Sequence, residues 1–237
     1  MKAITRKTLL AAFLSVVACQ VMAVDDNVDV KVTGQIVPPA CIPAMSGGAV
    51  FDYGAIKAAS LKSDDFNLLA EKTLNFSVSC DSPTKIAFKV TDARKGTAVL
   101  PVGKNMQRRD ITADTALSGL GTEDGKNIGA YSLNIAKMTV DKGDGSTETA
   151  LDSLDSIRSE DNGQTWTKLS TGTNTRVYLD DDGRLFALAE KGQLEPLSVK
   201  VMNATMWAMV AINKGSALNL TKINNLDGQI NIQVIYL

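Results

Sequence analysis

The sequence, 237 residues long, contains no histidine. That removes the Ser-His-Asp and Cys-His nucleophilic arrangements and the commonest general base. The two cysteines of the body, Cys41 and Cys80, with no histidine, also cannot supply the four cysteine and histidine ligands of a structural zinc site. Neither sign of charge dominates. Without the three positive charges of Lys2, Arg6 and Lys7, the 25 basic residues fall to 22 against 26 acidic ones, a net of about −4, so no nucleic-acid footprint is present. After residue 23 no apolar run is long enough to span a membrane. Aromatic residues make up only 5 % of the chain. Tyr53, Trp166, Tyr178 and Trp207 therefore read better as packing residues than as a glycan-binding face, and alternation puts Trp207 with Met209 on the core side of a strand.

Residues 1–23 have the form of a secretory signal: basic residues, the apolar run Leu9 to Val17, and small residues at Val21-Met-Ala23. Export to the periplasm is expected. A rival cut at Val16-Val-Ala-Cys19 would leave Cys19 as an acylated N-terminus. Either cut leaves Cys41 and Cys80, and an even pair in an oxidising compartment is expected to form a disulfide.

What the chain has in abundance is short alternating strands. Leu74, Phe76, Val78 and Cys80 alternate with polar residues; Ile86, Phe88 and Val90 follow the turn-forming Asp81-Ser-Pro83; Tyr131, Leu133 and Ile135 make a further run. Later runs are Val177 and Leu179, then Leu197 to Val201, then Trp207 to Ala211. Asp124-Gly125, Asp144-Gly145, Asn162-Gly163, Asp182-Gly183 and Asp227-Gly228 punctuate them as turn dipeptides. Residues 92–127 and 141–175 read as long insertions suited to surface specificity. Ala55 to Lys72 reads as a loop with at most one helical turn. Both ends alternate as well: Val28, Val30, Val32, Gly34 and Ile36 at the start, and Ile230, Ile232, Val234 and Tyr236 through to the last residues. A half-apolar strand of this kind needs a partner strand, its own or another protein's.

Two segments resemble sites of chemistry. Ser159-Glu-Asp-Asn-Gly-Gln-Thr-Trp166 matches the Asp-box of sialidases, whose physical content is a hairpin: Asp161 accepts backbone N–H groups across the turn, Gly163 supplies an unusual φ, and Trp166 packs beneath. One box is too few for a propeller, and no second carboxylate organises a cleavage site. Asp180-Asp-Asp-Gly183 has calcium-compatible oxygens but not the spacing of a calcium loop, and reads as a solvated acidic turn. No catalytic residue, metal site or cofactor is assigned, and the chain is not expected to be an enzyme.

Val32-Thr-Gly-Gln-Ile-Val-Pro-Pro-Ala-Cys41 resembles the first strand of chaperone-usher pilus subunits, whose partner cysteine lies in the second strand, as Cys80 does here, and whose last strand has a penultimate aromatic, as Tyr236 is here. Over its whole length the chain resembles the GltF-like group of fimbrial or periplasmic proteins. The shared features are Pro39-Ala-Cys-Ile-Pro43, Gly47-Gly48, Asp52-Tyr-Gly54, Leu74 through Cys80 with Pro83-Thr84, Ile128-Gly-Ala130, Leu194-Glu-Pro196, and Leu226-Asp-Gly228 through Tyr236-Leu237.

The resemblance implies an all-β, immunoglobulin-like β-sandwich of the pilin type over residues 32–237, preceded by the signal (1–23) and an N-terminal extension (24–31). It implies a subunit without its last strand, open in a groove beside Ile230, Ile232, Val234 and Tyr236. A periplasmic chaperone would fill that groove, and then the donor strand of a neighbouring subunit, carrying Val28, Val30 and Val32, would replace it at the outer-membrane usher. The competing reading makes Val32 to Ile36 the protein's own first strand. Three roles follow from these readings: a structural or minor pilus subunit, an adhesin with a glycan receptor, or a periplasmic protein that keeps the fold without polymerising.

Overall fold

The structure, a computed structural model, describes residues 30–37, 39–149, 154–169 and 176–237. The expected signal, Cys19 and Val28 lie outside the described residues. The chain divides into Met1–Val37 and Pro38–Leu237. Within the first unit residues 30–37 form no strand, and Val30 and Val32 are 85 % and 94 % exposed. The strand expected over Val32 to Ile36 is therefore absent, and the first strand begins at Cys41.

The second unit is built of antiparallel strands, with three short 3-10 segments and no α-helix among the described residues. Its main strands are β1 (Cys41–Met45), β2 (Lys72–Asp92), β3 (Gly129–Asp141), β4 (Leu154–Ser159), β5 (Leu185–Glu190), β6 (Ser198–Ile212) and β7 (Ile230–Tyr236). Continuous pairing joins them, with shorter strands, into one twelve-stranded sheet in the order β3-β6-β2-β5-β4, and β1 and β7 both add to β2. The all-β expectation holds, with one sheet curled around its core.

β2 is the hinge of this arrangement. The sequence reads as two strands separated by a turn at Asp81-Ser-Pro83, but the chain runs through as one strand of 21 residues. Its first half pairs with β6 on one side and β1 on the other; its second half pairs with β5 and β7. The register against β6 slips between Val199↔Thr84 and Val201↔Ser79, so Asp81 to Pro83 form a bulge where the strand bends. Pro83 is tolerated there because β1 has already ended opposite Asp81 and β7 reaches only to Ile86, leaving no ladder for its missing N–H.

The bend lets alternate residues of β2, β3, β6 and β7 converge. Phe76, Val78, Ile86, Phe88, Tyr131, Leu133, Ile135, Met202, Met206 and Val210 form the main core. The outer face is covered as well. Ala87, Ile157, Leu185, Ala187 and Ala189 pack with Trp166 and Ile235, and Met106, Ile111 and Ala211 pack with Met209. The 92–127 insertion is thus a cover for the sheet rather than a free loop. Trp207 and Met209 lie on this outer side, against expectation, because the inner face of β6 belongs to the even-numbered residues Met202 to Val210.

Candidate functional site: a groove between the first and last strands

β1 and β7 follow one another along the same edge of β2 and meet at a corner, where the Cys41 N–H donates to Tyr236 Oη at 2.8 Å. The disulfide Cys41–Cys80 ties the same corner to β2, as the sequence led us to expect. Away from it the two strands part. Between Pro43 to Tyr53 on one side and Leu226 to Ile232 on the other lies a groove of about 510 Å³, floored by Phe76, Tyr131, Leu133 and Met206.

No charged side chain lines it. Its two titratable groups are held neutral: burial, with Glu71 adding to it, pushes the Tyr53 hydroxyl up to about 12, and burial pushes Tyr131 up as well. Tyr53 Oη donates to the Ala208 carbonyl at 3.2 Å, which braces that wall against β6. Such a surface can bury apolar side chains and offers no charged side chain to an ion.

Ile230 and Ile232 line the groove as the alternation suggests, and Val234 packs on the core further along. Tyr236 does not line it. Its ring is at the corner, 45 % exposed, with its hydroxyl spent on Cys41. Sequence reasoning missed the wall from Pro43 to Tyr53 and misread Asp227-Gly228 as a turn. Gly228 has no positive φ; a Cβ there would stand 2.5 Å from Tyr131 Cε1, so glycine lets the entry to β7 pass over that ring.

The Asp-box forms the expected hairpin. Asp161 accepts from Thr165 N–H and Oγ1 at 2.8 and 2.6 Å and from Ser159 Oγ at 2.7 Å, Gly163 sits at φ +93°, and Trp166 Nε1 donates to the Gly163 carbonyl at 3.1 Å. Those hydrogen bonds, first the Thr165 hydroxyl and then its backbone N–H, lower the Asp161 carboxyl to about 2. A lowered carboxylate stabilises the fold above its unfolded value near 4 and loses that contribution as pH falls through about 2. Asp161→Ala is expected to lower Tm by a few degrees at pH 6, with the gap to the unaltered protein closing as pH approaches 2. A pH-independent gap in thermal melts would show that the carboxylate charge is not involved.

Asp180 to Asp182 are not a solvated turn. Asp180 pairs with Arg109 at 2.8 Å, Asp181 with Lys95 at 3.2 Å and Asp182 with Arg184 at 2.6 Å. Burial pushes the Asp180 carboxyl above its ordinary value although Arg109 pulls it down. Each oxygen set is answered by a cation, which leaves no acidic cluster to hold a metal among the described residues.

Residues 30–132 match the family described as a protein of unknown function (DUF1120). The chain is 27 % identical to protein GltF of Escherichia coli K12, over 96 % of both chains. It is 28 % identical to the uncharacterised protein YhcF of the same strain, over 89 % of this chain and 90 % of the relative. No solved structure matches the chain. The similarity extends over most of the chain: it is a homologue of GltF and YhcF, proteins of the GltF-like group.

Proposed function

We propose that the chain is an exported fimbrial subunit of the chaperone-usher type, structural or minor, whose body is a pilin-type sandwich open along one seam. The observation that carries this is the groove itself: an apolar, uncharged channel beside a last strand that pairs on one side only. Its occupant in the assembled state is the N-terminal arm of a second copy, in which Val28, Val30, Val32 and Ile36 alternate with polar residues. A periplasmic chaperone strand holds the place earlier, and the outer-membrane usher exchanges the two. The ladder supplies affinity and the alternate side chains supply register.

Deleting residues 24–31 tests this. The body is expected to remain folded and to co-purify with a fimbrial chaperone, while head-to-tail association of the full chain is lost. If the deletion unfolds the body, or the intact exported chain is a stable monomer without a chaperone, the subunit reading fails.

A second reading, an adhesin that binds a glycan, has one observation in its favour. Trp207, Asn134 and Tyr178 lie opposite one another on adjacent strands, and the buried Asn134 amide, Ser132 Oγ and Trp207 Nε1 have no hydrogen-bond partner. Sugar hydroxyls would satisfy such groups once the residues covering them moved aside, since Asn134 and Ser132 are 0 % and 1 % exposed. Glycan-array binding that disappears in Asn134→Leu, a variant expected to raise Tm, would establish it; an array with no hits would remove it.

A further inference from the structure

Within a β-strand the N–H and C=O of one residue point to the same edge, and successive residues alternate. On β7, the Gln229 carbonyl accepts from Ala93 N–H at 2.9 Å and Leu237 N–H donates to the Lys85 carbonyl at 3.1 Å. Odd residues therefore face β2. Ile230, Ile232 and Val234 turn N–H and C=O the other way, along the groove, where no described strand pairs with them.

The opposite wall differs. On β1 the Ala40 carbonyl accepts from Asp81 N–H at 2.9 Å, whereas Cys41 N–H points outward to Tyr236 Oη. Cys41, Pro43 and Met45 thus face the groove. The first donor is already taken and the second does not exist, because proline has no N–H. Only Met45 keeps a free donor on that edge. A strand entering the groove meets an intact ladder on one side and a spoiled one on the other.

We infer that the groove is asymmetric: an incoming strand forms a complete ladder along β7, whereas β1 offers it outward carbonyls and a single backbone donor, Met45 N–H. This rests on the strand-docking reading above and adds what the partner must be. It is an extended segment with alternating apolar residues and no proline on the edge facing β7, while irregularity on the edge facing β1 is tolerated. Residues 24–37 of this chain satisfy the requirement, since the first prolines are Pro38 and Pro39.

The test uses a fluorescent synthetic peptide of residues 24–37, titrated against the exported protein with that segment deleted. Ile232→Pro removes one outward N–H at an edge position that accepts proline, and Ile232→Ala controls for the lost side chain. The proline variant is expected to bind roughly tenfold more weakly than the alanine variant, as for one lost hydrogen bond. In NMR-detected hydrogen exchange the peptide is expected to protect the amides of Ile230, Ile232 and Val234 more strongly than that of Met45. Equal binding by the two variants, or protection of Met45 matching that of β7, would overturn the asymmetry while the docking reading stood. Failure of the peptide to bind the unaltered body would overturn both.

Discussion

Cys41→Ser is expected to destabilise the body by roughly 4 kcal/mol, the chain-entropy value for a loop of about 40 residues. The cross-link joins residues 39 apart in sequence and is the covalent anchor of β1, a five-residue strand whose faces are largely exposed and which therefore has little burial of its own to hold it. Its loss should release more than entropy. With Cys41 no longer pinned beside Cys80, the hydrogen bond to Tyr236 loses its fixed donor, and the wall from Pro43 to Tyr53 has only the β2 ladder to keep it in place. Urea denaturation of the oxidised protein, the reduced protein and the serine variant reads the effect. The latter two should coincide and lie well below the first. Coincidence of all three would mean that the disulfide contributes nothing to this fold, and that β1 is held by the ladder.

Phe76→Ala is expected to be of similar size, about 3–5 kcal/mol, the range for truncating a buried aromatic. Phe76 is 4 % exposed, makes an edge-to-face contact with Phe88 at 5.9 Å, and through it joins the stacked pair Phe88–Phe186 at 5.5 Å. It also forms part of the groove floor. The substitution should accordingly lower both stability and affinity for the 24–37 peptide, whereas Phe76→Leu, nearer in volume, should cost about 1.5 kcal/mol or less and keep most of the affinity. Equilibrium unfolding together with peptide titration separates the two effects. Full affinity in a strongly destabilised alanine variant would show that the bound strand does not reach the floor.

The sequence by itself determined the inner faces of β2, β3 and β7, because period-two alternation survives wherever one face is apolar and the other polar, as in Tyr131-Ser-Leu-Asn-Ile135, although that part of β3 is buried on both faces. It determined the Cys41–Cys80 bond, because these are the one cysteine pair of the body, and the Asp-box hairpin, which depends on local chemistry. β5 was not legible: Leu185 to Glu190 is covered on both faces, so its residues do not alternate, and β4 passed as part of an insertion for want of a strong pattern. For the same reason Trp207 looked like core, since the outer face of β6 is itself covered by residues of the 92–127 insertion. Asp81-Ser-Pro83 carries the composition of a turn but lies in a bulge, which depends on where β1 and β7 stop along β2. The groove was only half legible. Ile230 and Ile232 announce an apolar strand, but the opposing wall, the Tyr131 floor beneath Gly228, and the pairing of Tyr236 with Cys41 join residues up to 195 positions apart. Only the bend in β2 brings them together, and a bend set by the register of three neighbouring strands is not a property of any one segment.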